Sequence, residues 1–281
     1  MCDVLLVSRS RYYAWRKNPI SARTAADTVL TEKIRAVFIE GRQLYGARNI
    51  RKRLAQRGTI ISRKRIARLM KEAGMQRRTK RKFKVTTNSK HQHFVAPNLL
   101  KRQFHIAKPN RVWAGDITYI STRNGWLYLA TVMDLYSRKI VGWSMNTSMT
   151  AKLVNDALTM AIWQRKPAKG LIWHSDRGSQ YCAKNHRTIL KDHDIIQSMS
   201  RKGDCWDNAT SESFFSTLKG ELVELSDFVD QKQAAAAIFE YIEVFYNRIR
   251  PHSTIGYRAP AEFEAIKNDS IITKKICPLN Y

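Results

Sequence analysis

The chain has 281 residues, of which 43% are hydrophobic, so it has room for two domains and a small third. No run is long and apolar enough to cross a bilayer, and MCDVLLVSRSRYYAW is not a signal peptide, which excludes a membrane protein and points to the cytoplasm. Fifty Lys+Arg oppose 23 Asp+Glu for a net charge of +27, an excess that repels itself unless matched to a polyanion; nucleic acid is the expected partner, against the blander reading of a soluble basic protein.

Residues 1–22 form an N-terminal segment, and residues 23–76 read as a helix-turn-helix domain. Residues 24–40 place Val29, Ile34, Val37 and Phe38 at helical spacing. LYGARNIRKRLAQRG is a second helix, with Ile50 and Leu54 four apart and Gly58 at its end. SRKRIARLMKEAG is a third, capped by Ser62 and closed by Gly74, with Ile66, Leu69 and Met70 as its apolar stripe. Arg63, Lys64, Arg65 and Arg68 cluster at its start, where contacts to bases and phosphates arise. The competing reading is a solvated basic helix on a small bundle. Residues 77–107 are a basic linker that becomes an irregular lead-in ending near Pro109.

Beyond Arg111 the period changes from helix to strand. VWAGDITYIST alternates, Asn124–Gly125 marks a tight hairpin, WLYLATVMDLYSR is a long apolar strand, and KIVGWSMN completes a three-stranded meander. TAKLVNDALTMAIWQRK is a helix burying Leu153, Ala157, Leu158, Ala161 and Ile162; LIWHSD is a strand, AKNHRTILKDHD a helix, and IIQSMS a strand. The order βββαβαβα specifies an α/β domain with a mixed five-stranded sheet over residues 108–225. Residues 226–281 hold a long Ala-rich amphipathic helix and a Pro-rich tail. Cys2, Cys182, Cys205 and Cys277 form no CxxC pair, and His91 and His93 lack a cysteine pair to complete a zinc site. The cysteines read as reduced and mostly structural.

Three carboxylates carry the chemistry: Asp116 in WAGDITYI, Asp176 in WHSDRGSQY and Glu212 in NATSESFFSTLK, with 35 residues between the last two. Asp116 is expected to end the core of the first strand and Asp176 to end the fourth, so both reach one crevice of an open sheet. At about 100° per residue, Phe214, Phe215, Leu218 and Leu222 share one arc of the helix, while Lys219 falls about 20° from Glu212. One face is buried, and the other pairs a carboxylate suited to metal with a lysine suited to DNA phosphate. Three hard oxygen ligands suit two Mg²⁺ ions, with Mn²⁺ as a substitute, driving phosphoryl transfer without a covalent enzyme intermediate.

WAGDITYI, VMDLYSRKIVGW, HSDRGSQY, DNATSESFFSTLK, FYNRIRPHSTIGY and YGARNIRKRL together resemble the catalytic frame-B transposase of the IS-three-type insertion sequences, over residues 20 to 265. The resemblance implies a ribonuclease-H-like integrase core, similar to retroviral integrase. Its Asp, Asp, Glu triad maps onto Asp116, Asp176 and Glu212, and its basic residue seven past the Glu maps onto Lys219. It also implies as partners the element's terminal repeats, target DNA and a frame-A product, supplying a helix-turn-helix and a leucine zipper, that a ribosomal frameshift fuses to frame B. This chain has no zipper-like heptads and starts abruptly, and so resembles frame B alone. Two DNA ends must be held together for strand transfer, which points to a DNA-induced homo-oligomer.

Each carboxylate alone has an ordinary reading as a surface or capping group; their joint placement with Lys219 favours the triad. Asp134 reads as structural, in mid-strand near the turn at Ser137 and Arg138. Asp204 and Asp207 read as serving the start of the Glu212 helix. His174 shares a strand face with Asp176, and either touches substrate phosphate or is a hydrogen-bonded core histidine. Arg177, Gly178 and Ser179 form a loop able to approach DNA, and Asn208 either positions the active-site loop or starts the helix. Tyr246, Asn247, Arg248 and His252 bind DNA or pack the terminal helix. Trp113, Trp126 and Trp143 are expected in the core. The alternatives to a strand-transfer enzyme are a ribonuclease-H-like nuclease and a non-catalytic DNA-binding regulator, for which three converging carboxylates serve no purpose.

Overall fold

The computed structural model describes residues 2, 4, 6–17, 20–78, 95–201 and 205–266. The expectations for the linker with His91 and His93, for Asp204, for the Cys205 side chain and for Cys277 lie outside the described residues. The chain divides into two compact units, Met1–Arg78 and Thr79–Tyr281.

The first unit holds α1 (Arg9–Lys17), α2 (Ala22–Glu40), α3 (Ala47–Gln56) and α4 (Arg63–Glu72). Leu30, Ile34, Val37 and Phe38 of α2 bury one stripe, joined in the core by Ile50 and Leu54 of α3 and Ile66, Leu69 and Met70 of α4. Val29, expected on that stripe, is 61% exposed; Leu30 takes its place because Leu30, Ile34, Val37 and Phe38 keep the helical spacing that Val29 misses by one residue. The Ser62 hydroxyl accepts the Arg65 N–H at 3.2 Å and caps α4. Gly74, at φ +67°, closes the helix while the Met75 N–H donates to the Met70 carbonyl at 2.8 Å.

The second unit is built on a five-stranded sheet of order β3-β2-β1-β4-β5. β1 (Val112–Thr122), β2 (Gly125–Asp134) and β3 (Ile140–Asn146) form the antiparallel meander; β4 (Ile172–Ser175) and β5 (Ile196–Met199) add in parallel beyond β1. The hairpin closes over Arg123–Asn124, with Thr122 paired to Gly125, one residue earlier than the Asn–Gly dipeptide implies. β2 stops at Asp134, so that residue ends a strand instead of lying within one. It is fully buried and accepts the N–H groups of Asn110 and Tyr136 at 2.9 and 3.0 Å, with Arg165 at 3.3 Å. Its place is structural.

α5 (Ala151–Arg165) follows β3, α6 (Ser179–Cys182) and α7 (Lys184–Asp192) follow β4, and α8 (Ala209–Glu221) and α9 (Gln231–Glu240) close the unit. Leu153, Val154, Ala157, Leu158, Ala161 and Ile162 of α5 share a core with Trp113, Ala130, Val132, Val141 and Trp173 of the sheet. Gly115 is needed here because a Cβ at that position would lie 2.1 Å from the Trp173 ring. Two tryptophan expectations are corrected. Trp126 is 50% exposed, stacked edge-on against Tyr119 at the hairpin end of the sheet, and Trp143 is half-buried, its indole N–H donating to Glu243 at 2.8 Å. The terminal helix continues as a π-helical stretch, Tyr241–Tyr246, not as the uniform α-helix expected. The wider turn buries Tyr241, Ile242, Phe245 and Tyr246 together. No helix among the described residues is long and apolar enough to cross a membrane.

Candidate active site

Two neighbouring strands position the two aspartates. β1 and β4 run parallel, with Ala114 opposite His174. The paired register ends there: Asp116 lies two residues further along β1 and Asp176 two residues past His174, just after β4 has ended at Ser175, and the charge of Asp176 acts on Asp116. Asp116 is therefore not at the end of its strand; it lies within the eleven residues of β1, paired on its other side to Thr131 of β2. Its carboxylate accepts the Ile117 N–H at 2.8 Å. Asp176 begins a tight loop in which its Oδ1 accepts the Gly178 N–H at 2.9 Å, and a Cβ on Gly178 would stand 3.0 Å from that oxygen.

Glu212 is an exposed residue in the first turn of α8. That helix buries Phe214, Phe215 and Leu218 of the arc expected from the wheel; Leu222, the fourth, lies just past the end of α8 and is half-buried. Lys219, on the Glu212 side, lies with its ammonium 4.7 Å from the centre of the Tyr119 ring of β1. The sequence reading missed Tyr119; three residues past Asp116 on a strand falls on the alternate face, so spacing gave no signal for it.

The charges of Asp176, Glu212 and Lys219 all act on Asp116. Burial holds the Asp116 carboxyl well above the usual carboxylate range; Asp176 and Glu212 raise it further, while the Ile117 N–H and Lys219 lower it. Burial raises Glu212 as well, and the Tyr181 phenol is pushed well up by burial and by the charges of Asp116 and Asp176. Asp116 thus feels two carboxylates and one amine, and the complement of such a charge balance is a cation. The donors are hard oxygens, but among the described residues no three His, Cys, Asp or Glu side chains are close enough to cage a metal ion. An open set of carboxylates fits Mg²⁺, which keeps waters and shares substrate phosphate, and does not fit a closed structural zinc site.

Comparison with known proteins identifies the family. Residues 106–205 and 193–260 match Integrase core domain families, and residues 25–83 match an HTH-like domain. The chain is 47% identical over 263 residues to an uncharacterized 31 kDa protein of insertion element IS600 from Shigella sonnei, covering 94% of this chain and 97% of that one. It is 42% identical over 266 residues to the transposase InsF of insertion sequence IS3A from Escherichia coli K12, covering 94% and 92%. The chain belongs to the IS3-type transposase family. Among solved structures it is similar to the HTLV-2 integrase catalytic core domain, at 16% identity and a TM-score of 0.40, over 55% of this chain and 96% of that one.

The remaining candidates of this transposase-family chain fall in different settings. His174 is fully buried, with Nδ1 2.9 Å from the Ser198 hydroxyl and Nε2 3.0 Å from the Asp207 carbonyl, so its ring is closed to substrate. Arg177 is half-buried, and its Nε donates to the Ser200 carbonyl at 2.7 Å. Asn208 is buried at the start of α8, and among the described residues its side chain makes no capping bond and its Oδ1 has no hydrogen-bond partner. Tyr246 and Asn247 are buried; Asn247 bridges the Ile140 N–H and carbonyl at 3.0 Å each, while Arg248 is exposed. In the first unit Arg63 and Lys64 are exposed on α4. Arg65 and Arg68 both bind Asp27 of α2, each at 2.6 Å. Spacing alone does not reveal that difference, because Asp27 lies 38 positions before Arg65.

Proposed function

We propose that the chain is a DDE transposase that cleaves DNA at the ends of an insertion sequence and joins the freed 3′ ends to target DNA. The observation that carries the reading is the 42% identity, over 94% of the chain, to an insertion-sequence transposase, and the charges of Asp176, Glu212 and Lys219 acting on Asp116 support it. In the joining step a 3′-hydroxyl oxygen forms a bond to phosphorus in the target strand, and the bond from that phosphorus to its own 3′ oxygen breaks. Asp116, Asp176 and Glu212 are the residues that would hold Mg²⁺, or Mn²⁺ in its place. When bound, two such ions supply activation of the attacking oxygen and neutralise the charge on the leaving one. Lys219 neutralises a neighbouring phosphate, and Tyr119 holds its ammonium against β1. No side chain forms a covalent intermediate.

Arg63 and Lys64 engage duplex DNA from the first unit, with Arg65 and Arg68 orienting their helix through Asp27. Arg177 lies beside Asp176 and approaches the DNA backbone. The partners are the element's terminal repeats, target DNA and a frame-A product, and the active species is a DNA-induced homo-oligomer on the nucleoid of the cytoplasm. The test is strand transfer on a labelled element-end duplex in Mg²⁺, with and without the frame-A product, and with Glu212→Gln as control. Joining that disappears in the variant is expected. Joining retained by the variant removes Glu212 from the mechanism, cutting without joining favours a nuclease, and binding without either favours a regulator.

A further inference from the structure

α8 carries Glu212, and buried polar contacts hold both of its ends. At the far end, Glu221 accepts two hydrogen bonds from Arg250, at 2.8 and 2.9 Å, and one from the Tyr241 hydroxyl at 2.8 Å. Before the first turn stands Asp207, whose carboxylate is held by Asn98 at 2.8 Å, by Arg102 at 2.9 Å and by the Arg201 N–H at 3.0 Å. The Asp207 carbonyl meets Nε2 of His174 at 3.0 Å. A carbonyl only accepts, so Nε2 carries the proton, and Nδ1 accepts from the Ser198 hydroxyl at 2.9 Å. The Ser198 oxygen in turn accepts the Leu99 N–H at 2.9 Å. A neutral ring with both nitrogens engaged thus links β4, two residues before Asp176, to the start of the helix that bears Glu212.

We infer that His174 is a positioning residue that sets Glu212 against Asp116 and Asp176. The inference rests on the proposed reaction, in which those carboxylates act together. The apolar face of α8 supplies burial, but apolar contact is non-directional and does not fix how far the helix slides or turns. A hydrogen bond to the residue before its N-cap does fix this, because it weakens steeply with distance and angle. The same account gives a use to the FYNRIR motif: Tyr241 lies just before it, Arg250 ends it, and together they hold the other end of α8 through Glu221.

The test uses the full chain with His174→Ala, His174→Gln and Ser198→Ala, read by hydrogen exchange of the metal-free protein and by single-turnover joining. Gln offers an amide N–H near the place of Nε2–H, and Ser198→Ala leaves the link to Asp207 intact, so these two variants carry the test if His174→Ala does not fold. In His174→Ala, amides over 209–215 are expected to exchange about tenfold faster, with those of the β1–β2 hairpin unchanged. Joining is expected to slow while duplex affinity stays the same, with His174→Gln intermediate in both readouts. Unchanged exchange over 209–215 beside an active wild type overturns the positioning role and leaves the reaction standing. Exchange that rises equally throughout the sheet also overturns it, by making His174 a general core residue. Loosened α8 in a chain whose wild type neither cuts nor joins DNA overturns the reaction and leaves the link as architecture alone.

Discussion

Asp116 is held where its charge is costly. It is desolvated and faces two other carboxylates, and its pKa is raised accordingly. A group whose folded pKa lies above its unfolded value weakens the fold once ionised. Asp116→Asn keeps an acceptor for the Ile117 N–H and removes the charge. It is expected to abolish joining and to raise Tm by about 2–4 °C in metal-free buffer, the equivalent of about 1 kcal/mol in a domain of this size. Thermal unfolding decides this; a lower Tm would show that repulsion is not the governing effect. His186 supplies a pH dependence of its own. Its Nε2 accepts the Trp173 indole N–H at 2.9 Å, its Nδ1 faces Asn155 Oδ1 at 2.8 Å, and burial lowers its pKa to about 4. The folded ring binds fewer protons than the unfolded one between its ordinary value near 6.5 and about 4. Stability is therefore flat above that window and falls through it on acidification, by about 2 kcal/mol at pH 5 from this group. His252, also lowered to about 4 by burial, adds in the same direction. Urea unfolding from pH 7 to 5 measures the sum, and His186→Leu is expected to flatten it.

At the scale of elements, α4 sorts its charges by face. At about 100° per residue, Arg63, Ala67, Lys71 and Lys64 fall within an arc of about 100°, with buried Met70 and Ile66 beyond its Arg63 edge, and Arg68, Glu72 and Arg65 between Lys64 and buried Leu69. Arg68 binds Glu72 as well as Asp27, so the two acids offset the two arginines and leave the basic arc toward solvent. Ala67 is exposed at the centre of that arc, and its small side chain permits close approach to DNA. Ala67→Glu is expected to leave Tm unchanged while lowering duplex affinity about tenfold or more, and Arg63→Ala to reduce the salt slope of binding by about 1. Fluorescence anisotropy across a salt series measures both, and unaltered binding by Ala67→Glu would exclude this face. The helical period made α4 legible, because Ser62, Ile66, Leu69, Met70 and Gly74 are all local signals. The division between Arg63 and Arg65 was not legible, because it depends on an acid in a different helix.

The whole molecule combines a large positive charge with an acidic point. A net charge of +27 favours a polyanion, and in the proposed reaction Asp116, Asp176 and Glu212 would repel DNA phosphates unless cations stood between them. Metal and DNA binding should therefore be linked, each strengthening the other by the same factor. Mg²⁺ is expected to bind the free protein weakly, because no three acidic or thiol or imidazole side chains form a cage among the described residues. A duplex with a blocked 3′ end is expected to raise that affinity about tenfold or more, within the range of typical coupling. Titration calorimetry with and without the duplex measures the coupling; equal affinities would mean that phosphate does not complete the site.

The sequence by itself determined the order of strands and helices and the five-stranded sheet. These rest on signals local to each segment: a period of two or of 3.6, a capping serine, a closing glycine. Tertiary structure decided what depends on neighbours distant along the chain. It placed Asp116 inside β1, left Trp126 half outside at the hairpin, widened Tyr241–Tyr246 into a π-helix, and engaged the buried His174 ring with the carbonyl of Asp207. A side chain's chemistry is written in its own residue, but burial and hydrogen-bond partners belong to pairs, and only folding brings the second member of each pair into place.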